Sequence, residues 1–440
     1  MSIEQDVAER QLFDRRGPRL SDGTHFKDMF DLEGREISLR VMRDPEIHAL
    51  EMDRIFGRSW VLLAHESEIP NSGDFLVRHI GEDPVIIARG KDGKINLMLN
   101  VCAHRGMEVC FAEQGNTRMF KCPYHAWVYG LDGSLTGVPF EREMFAGELD
   151  KSTLGLPRVT GTMRHGLIFG NLAEAPVPFE EYLGDMLWYF DNIFEGTEWE
   201  AVSTGAARHV VHANWKTNLD QNHGDFLHTV GTHHDFTELG VFGQDFGQFT
   251  TKVCTPPNGH FIALFEPNFG GDEGPPEPGQ TREILDERRN LPIEERGRAF
   301  LVFPATQGIA FSMPIEGGER LRVVNLAMHR PHGVDKFEFA GNSMLLMPKG
   351  TSPELVQMVK AFGTMQRGIA GGLFEDSETW RSITNAARAP RTRHATMKYL
   401  AVAEPVTPEG WPGPGTVYDG FSRDETQWHG WLHYYDLMTR

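Results

Sequence analysis

The chain has 440 residues, of which 40% are hydrophobic, so it is long enough to bury the cores of two domains. It contains 43 Lys and Arg against 62 Asp and Glu, which gives a net charge of -19. This balance argues against binding to nucleic acid or to anionic membrane surfaces, because both attract positive charge. Its 4 cysteines are too few for a secreted disulfide framework.

Targeting segments are not found in the sequence. The amino-terminal residues are charged throughout and contain no apolar signal segment, and no run of about eighteen apolar residues occurs. The sequence therefore predicts a cytoplasmic protein. Its acidic surface would suit a charged redox partner, although many acidic proteins are simply soluble.

Short elements are predicted through the first hundred residues. Residues 46–58 place Ile47, Leu50 and Ile55 at near-helical spacing, which predicts an amphipathic helix closed by Gly57. From residue 59 onward, short apolar runs alternate with turn sequences rich in Gly, Asn and Asp. That alternation predicts an antiparallel meander leading into the next motif.

Residues 102–127 contain two cysteine and histidine pairs, Cys102 with His104 and Cys122 with His125. Zinc sites with two cysteines and two histidines usually take both cysteines from one turn and both histidines from a helix. Here each loop offers one thiolate and one imidazole. A Rieske [2Fe–2S] cluster binds both cysteines to one iron and both histidines to the other, so two flanking loops must each supply one of each. The spacing therefore favours a [2Fe–2S] cluster over structural zinc.

The residues around these ligands resemble a known family. The pattern Cys-x-His-Arg-Gly followed by Cys-x-Tyr-His-x-Trp, met by residues 102–106 and 122–127, is typical of the Rieske non-haem iron ring-hydroxylating oxygenases, large (alpha) subunit. The resemblance implies an α+β fold. A Rieske antiparallel β domain would be inserted ahead of a helix-grip (START-like) catalytic domain that contains an antiparallel sheet. Met107 and Tyr124 stand where respiratory Rieske proteins have two further cysteines, which fits a reducing compartment.

A hairpin and a closing strand follow the cluster motif. Residues 127–139 contain a Leu-Asp-Gly turn between two strand-like pieces, and residues 165–172 are typical of a buried strand. We therefore predict a Rieske [2Fe–2S] domain at 59–173. Residues 1–58 would form an amino-terminal cap belonging to the catalytic domain, and residues 174–440 would form the rest of that non-haem iron domain.

A second metal site is predicted within residues 214–236. Asp225 and His228 are three residues apart, which would place them on one face of a helix. His233 is five residues beyond His228, about 140 degrees away on a regular helix. The helix must therefore distort between them, and Gly231 is well placed to permit it. Two imidazoles would then converge on one ion, as in the facial triad of two histidines and a carboxylate that binds iron(II).

The second histidine of this site has a rival. Members of the resembled family differ by one residue in the spacing after the first histidine, so that one form fits His233 and the other fits His234. Gly231 and Thr232 just before it resemble the shorter form. We favour His233 on this pattern and keep His234 as the alternative.

The carboxyl-terminal part of the chain is predicted to form a sheet backed by helices. Residues 300–331 alternate like strands around a Gly-Gly turn at 317–318, and residues 352–383 have helical periodicity. Residues 267–280 are too rich in Pro and Gly for regular structure, and form either an active-site lid or a surface excursion. A Gly-rich nucleotide fingerprint is not found, so electrons are expected from outside the chain.

The resemblance supplies a candidate for the third iron ligand. In the family, a helix near the carboxyl end has an acidic stretch that ends in an aspartate shortly before a Trp or Met. Asp376 fits by its distance from Trp380, while Glu375 and Glu378 compete with it. The predicted iron ligands are therefore His228, His233 and Asp376.

Asp225 matches the bridging aspartate of the family. Beside His228, its carboxylate would bind the second nitrogen of that imidazole and fix the tautomer that binds iron. Across a subunit boundary it would also accept a hydrogen bond from a cluster histidine, His104 or His125, of a neighbouring chain and so relay electrons. Asp225 is therefore the predicted catalytic residue.

The resemblance implies a terminal oxygenase that uses O2 and electrons delivered through its Rieske cluster to cis-dihydroxylate an aromatic substrate. Alternatives are monooxygenation or O/N-demethylation of an aromatic compound at the same iron(II), or an electron carrier fused to a binding domain. The expected partners are a ferredoxin and/or a flavin reductase that makes the enzyme NAD(P)H-dependent, and a small beta subunit. The expected assembly is a trimer of alpha subunits, α3β3 or alternatively α3.

Overall fold

The structure is a computed structural model that describes residues 12–202, 209–234, 251–265, 297–315, 320–367, 373–407, 411, 413–419 and 423–440. The predicted irregular stretch at 267–280 and the predicted turn at 317–318 lie outside the described residues. The chain divides into two compact units, Phe56–Phe179, and Met1–Ile55 with Glu180–Arg440. The predicted boundaries at 59 and 173 both lie inside the first unit. Among the described residues, none of the helices combines the length and the apolar character that crossing a membrane requires.

The amino-terminal segment of the larger unit forms two short strands and one helix. These are β1 (Phe30–Asp31), β2 (Glu36–Ser38) and α1 (Pro45–Glu51). The carboxylate of Asp44 accepts hydrogen bonds from two amides in the first turn of α1, and Pro45 occupies the first helical position. The helix continues as a π-helical turn, Met52–Phe56. The helix predicted at 46–58 is thus present, with a wider final turn.

The smaller unit is built from short antiparallel strands. They are β3 (Val61–His65), β4 (Asp74–Ile80), β5 (Asp83–Arg89), β6 (Ile95–Leu99), β7 (Gln114–Asn116), β8 (Phe120–Lys121), β9 (Val128–Tyr129), β10 (Leu135–Gly137), β11 (Thr160–Arg164) and β12 (Leu167–Asn171), with helix α2 (Glu141–Phe145). Three sheets result, with strand orders β6-β5-β4-β7, β10-β9-β8 and β11-β12-β3. The predicted meander is β4 to β6, and the predicted closing strand is β12, which is buried throughout.

The core of the smaller unit includes the predicted cluster loops. Cys102, Cys122 and Trp127 are buried in the same apolar cluster as Ile86 and Met98 from the β6-β5-β4-β7 sheet. The loops are therefore fixed by packing against the sheet on one side.

The rest of the larger unit is a long antiparallel sheet with helices. Its elements are α3 (Phe179–Leu183), α4 (Met186–Phe194), β13 (Trp199–Val202), β14 (His209–Val211), α5 (Trp215–Asn222), α6 (His228–Thr232), β15 (Thr251–Thr255), β16 (Phe261–Phe265), β17 (Arg298–Val302), β18 (Thr306–Pro314), β19 (Arg320–Pro331), β20 (Phe337–Pro348), α7 (Pro353–Arg367), α8 (Leu373–Arg388), β21 (Thr396–Lys398), β22 (Thr416–Asp419) and α9 (Glu425–Thr439). The main sheet has the order β13-β20-β19-β18-β17-β16-β15-β22, and β14 also pairs with β20.

One face of this sheet is covered by α7. Leu321 and Val323 on β19 and Leu345 and Met347 on β20 alternate along their strands and form a core cluster with Val359 of α7. This is the period-two pattern expected when one sheet face is buried. The predicted sheet backed by helices is therefore present in this unit.

A buried ion pair connects three helices of the larger unit. The Nζ atom of Lys216 on α5 lies 2.6 Å from Oε1 of Glu51 on α1, and both side chains are fully buried. Trp215 Nε1 donates to Glu51 Oε2 at 2.8 Å, and the hydroxyl of Tyr434 on α9 donates to Oε1. Burial alone would raise the pKa of Glu51, but the charge of Lys216 and hydrogen bonds from His48, Lys216 and Tyr434 lower it. The Glu51 carboxylate is therefore ionised, and its buried charge is stabilised by Lys216 and by hydrogen bonds.

We expect Lys216→Met to lower the free energy of unfolding by about 3–5 kcal/mol, because it leaves the Glu51 carboxylate buried without its counter-charge. The measurement is urea unfolding followed by circular dichroism. Lys349→Met is the matched control, since Lys349 pairs with Glu198 at 3.0 Å while both side chains are mostly exposed. That change should cost less than about 1 kcal/mol. Equal losses in the two variants would contradict the argument.

Candidate metal centres

The two cluster loops have the same type of backbone turn. In each loop the cysteine amide, of Cys102 or Cys122, donates at 2.8 Å to the carbonyl five residues later. The amide four residues later, of Gly106 or Ala126, donates back to the cysteine carbonyl at 2.9 or 3.0 Å. Gly106 and Ala126 both take the left-handed backbone conformation, with φ of 72° and 55°. The same local geometry is thus built twice, although only one loop has glycine at the strained position.

These turns bring the four predicted cluster ligands together. The rings of His104 and His125 lie 4.5 Å apart between centroids, and Trp127 stacks on His104 at 4.7 Å with the planes nearly parallel. Cys102 and Cys122 are buried and free of disulfides. The Tyr129 hydroxyl lies 3.1 Å from the Cys102 sulfur.

The donor set of these loops fits a [2Fe–2S] cluster. The Nδ1 atom of His104 is buried and has no hydrogen-bond partner among the described residues, as expected of an atom that binds metal. Burial lowers the pKa of His104 and raises the pKa of the Cys122 thiol. The two thiols are buried and the two imidazoles are half-buried, and a metal bound there would be held by thiolate and neutral imidazole.

The larger unit brings His228, His233 and Asp376 together. Each offers one ligand atom, and these atoms all lie within 4.8 Å of one another. Asp376 Oδ1 is 3.6 Å from His228 Nε2 and 3.3 Å from His233 Nε2. The two imidazole rings are 5.2 Å apart and inclined at 73°. Two imidazoles and one carboxylate are the donor set of a facial iron(II) site.

Of the alternatives to these residues, two lie away from the site and one contacts it. His234 is exposed, whereas His233 is only 5% exposed. Glu378 pairs with Arg381 on the outer face of α8, at 2.9 Å. Of the competing residues, only Glu375 lies at the site, and it contacts a histidine from behind.

The local geometry of the histidine segment differs from the prediction in two respects. Helix α6 runs without a break through Gly231 and ends at Thr232, so that His233 turns toward the site just past the helix end. Asp225 is not on the helix but before it, where its carboxylate accepts from the His228 amide at 3.1 Å. Asp225 lies before the helix because the chain turns at Gly224, where φ is +93°.

The second ring nitrogen of each histidine has an acceptor. His228 Nδ1 donates to the backbone carbonyl of Asp225, and not to its carboxylate as predicted, because the carboxylate accepts from the His228 amide. His233 Nδ1 lies 2.6 Å from Glu375 Oε2. Both acceptors favour a proton on Nδ1, which leaves each Nε2 with a lone pair for a metal. Both Nε2 atoms face Asp376. Burial lowers the pKa of His233, but its bonds to Asp376 and Glu375 raise it overall.

The sequence did not predict that Glu375 would contact a proposed iron ligand, His233. The sequence presented it only as a competitor for the iron, although an acid next to a ligand on a helix could have suggested a supporting role. Its contact to His233 joins residues that are far apart in the chain, and no local pattern encodes such a contact.

Asp220 lies on α5 behind the site. Its Oδ1 accepts from the Tyr399 hydroxyl at 2.8 Å and from Trp431 Nε1 at 2.7 Å. Burial raises the pKa of Asp220 to about 7, although both hydrogen bonds lower it, and the charges of Asp225 and Asp424 raise it further. An acidic group thus lies behind Asp225 with a pKa near neutral pH.

Comparisons with known proteins identify the family of the chain. Residues 59–153 match the Rieske [2Fe-2S] domain family. The chain is 39% identical to the alpha subunit of biphenyl 2,3-dioxygenase from Rhodococcus jostii, over 94% of this chain and 92% of that protein. It belongs to the Rieske non-haem iron ring-hydroxylating oxygenases, as an alpha subunit.

Two further proteins are similar to this Rieske oxygenase over most of its length. The alpha subunit of N,N-dimethyl phenylurea N-demethylase from Sphingobium sp. is 32% identical, over 94% of this chain and 95% of that protein. The crystal structure of naphthalene 1,2-dioxygenase from Rhodococcus sp. bound to indole superposes with a TM-score of 0.77 and 34% identity, covering 92% of this chain and 94% of that one.

The predicted family, the α+β fold class and the two cofactors of this Rieske oxygenase are confirmed. The Rieske match decides the first motif in favour of a [2Fe–2S] cluster over zinc. Family membership brings a mononuclear iron at the catalytic site. Full-length relatives that are named as dioxygenase and demethylase subunits make the chain an oxygenase and not an electron carrier.

We expect Asp220→Asn to make the Rieske oxygenase more stable at pH 8, by up to about 4 kcal/mol. A carboxyl whose folded pKa is raised from 3.8 to about 7 favours folding below its unfolded pKa, and this stability is lost between about pH 4 and pH 7. Asparagine copies the neutral carboxyl and escapes the loss. Urea unfolding at pH 8 and pH 5 should therefore show a difference between variant and wild type that shrinks as the pH falls. A difference independent of pH would contradict the raised pKa.

Proposed function

We propose that this Rieske oxygenase is a terminal dioxygenase that adds both atoms of O2 to an aromatic small molecule as a cis-diol. The proposal rests on the convergence of His228, His233 and Asp376 in a chain of this family. It is supported by similarity to proteins named biphenyl 2,3-dioxygenase and benzene 1,2-dioxygenase, each 39% identical over more than nine tenths of the chain.

The metal ligands divide between the two units. The proposed cluster ligands are Cys102, His104, Cys122 and His125, and the proposed iron(II) ligands are His228, His233 and Asp376. When bound, the cluster supplies single electrons and the iron supplies a site at which O2 is activated.

Backbone and side-chain groups of the protein hold the proposed iron ligands in place. The Asp225 carbonyl and the Glu375 carboxylate hold the protons of the two histidines on Nδ1, so that each Nε2 keeps its lone pair for the metal. Asp225 is proposed to have a second role. Asp225 lies three residues before His228 and contacts its amide, and its carboxylate would accept an N–H from His104 or His125 of a neighbouring chain and connect the two metal centres.

The proposed partners follow from what the chain does not supply. Because the sequence has no nucleotide fingerprint, we propose that a ferredoxin and/or a flavin reductase delivers electrons from NAD(P)H. The relatives are named as alpha subunits, which supports a small beta subunit and an α3β3 assembly, with an α3 trimer as the alternative. We propose a cytoplasmic location.

N-demethylation is the second candidate function. The similarity to N,N-dimethyl phenylurea N-demethylase extends over 94% of the chain, so both reaction types are represented among full-length relatives. Either reaction uses the same ligands. What differs is the bond that the substrate presents to the iron.

Iron counting tests the proposed ligands. Wild type should contain about three irons per chain, two in the cluster and one at the triad. We expect His233→Ala to contain about two and to keep the visible absorption of the cluster, whereas the neighbouring exposed His234→Ala keeps about three. Asp225→Asn should keep about three irons but lose most product formation. Loss of iron from His234→Ala with retention in His233→Ala would reverse the assignment.

Labelled oxygen tests the reaction. With reductase and ferredoxin present, we expect biphenyl or benzene to give a diol in which both oxygen atoms come from one molecule of a mixed ¹⁶O2 and ¹⁸O2 atmosphere. Asp376→Ala should give no product with either substrate. Release of formaldehyde from N,N-dimethyl phenylurea, with no diol from the arenes, would overturn dihydroxylation in favour of demethylation.

A further inference from the structure

The side chain of Gln221 contacts two of the three proposed iron ligands. It lies near the end of α5, and its Nε2 atom donates to Asp376 Oδ1 at 3.0 Å. The same nitrogen is 3.3 Å from His228 Nε2. Asp376 Oδ1 is also the carboxylate oxygen that faces both histidines. The amide therefore contacts the very atoms that are proposed to bind the metal.

The orientation of this amide is fixed by Trp380. The indole Nε1 of Trp380 donates to Gln221 Oε1 at 2.7 Å. An indole nitrogen can only donate, so the amide oxygen must face Trp380 and the NH2 group must face Asp376 and His228. Without that donor, the two ends of the amide are similar in shape and could exchange places.

Trp380 is itself held firmly. It is 2% exposed, and its ring lies 5.7 Å from Phe337 and 6.3 Å from Phe339, both on β20. It is four residues beyond Asp376, which places both on one face of α8. A single helix therefore presents the proposed ligand and the group that orients its hydrogen-bond donor.

A hydrogen bond to a carboxylate oxygen has two effects on a metal ligand. It restricts rotation of the carboxylate, so that the same oxygen stays directed at the histidines. It also withdraws charge from that oxygen and so adjusts how strongly it donates to a metal. Both effects depend on which end of the Gln221 amide faces Asp376.

We propose that Gln221, oriented by Trp380, is a positioning residue that sets the direction and donor strength of Asp376 toward the iron. This inference rests on the proposed metal centre. It extends that proposal, because neither residue is a ligand and Trp380 acts only through Gln221.

The test uses the full-length protein with its cluster in place. Gln221→Leu keeps the size of the side chain and removes the amide, while Trp380→Phe keeps an aromatic ring and removes only the indole donor. Trp199→Phe is the matched control. Its Nε1 donates to the Phe194 carbonyl at 2.8 Å and it is 6% exposed, so it loses the same kind of buried hydrogen bond away from the ligands.

Two properties are measured for each protein. The first is the dissociation constant for iron(II) at the triad, by anaerobic titration. The second is the electron paramagnetic resonance spectrum after addition of nitric oxide, whose rhombicity reports the symmetry of the ligand set. Thermal melting confirms that each variant is folded, and Trp380→Phe provides the answer if Gln221→Leu does not fold.

We expect both site variants to bind iron(II) about tenfold more weakly and to change the rhombicity of the nitric oxide spectrum, while the control matches wild type. Site variants that match wild type in both measurements would overturn the inference and leave the metal centre standing. Equal changes in the Trp199 control would also overturn it, because the effect would then be a general loss of packing. If wild type itself takes up no iron at the triad, the proposed function fails along with this inference.

Discussion

The turn of the chain between α5 and α6 is the constraint on which the proposed iron site depends. Gly224 has a φ of +93°, and a Cβ atom there would lie 2.7 Å from the Phe261 ring and 2.9 Å from Thr426 Oγ1. Glycine alone adopts that backbone without strain and leaves this space. Because the chain turns back at this point, Gln221 near the end of α5 comes within 3.3 Å of His228 on α6. A side chain at position 224 would collide with Phe261 of β16 and Thr426 of α9, and so displace the turn that connects α5 to α6.

Helix α5 is held in place by polar contacts to three other helices. Lys216 pairs with Glu51 of α1, Asp220 accepts from Trp431 of α9, and Gln221 accepts from Trp380 of α8. In a buried, weakly polarisable setting each of these groups must keep its partner, so the contacts specify one arrangement more strictly than apolar packing would. The position of α5, and through Gly224 that of α6, is therefore determined from several sides.

The two metal sites differ in how far the sequence could predict them. The cluster loops are local turns that each close within six residues, so their ligands could be recognised from spacing alone. The proposed iron ligands come from α6, its end and α8, and are held by contacts between distant segments. Helical periodicity failed at residues 225–233, because the helix boundary is set by the Gly224 turn and by Asp225 capping the His228 amide. The contacts of Gln221 with Trp380 and of Glu375 with His233 have no local signature at all.

This difference also bears on what decides the reaction. A dioxygenase subunit and an N-demethylase subunit both align with the chain over 94% of its length, so the two-metal scaffold as a whole does not select between ring dihydroxylation and demethylation. An iron held by the proposed ligands would supply O2 activation with the delivered electrons, and that task would be common to both reactions. The choice must then depend on which bond of the bound substrate is held closest to the iron. Because contacts of α5 and α8 hold the proposed ligands in place, side chains that face the substrate can vary without disturbing the metal site.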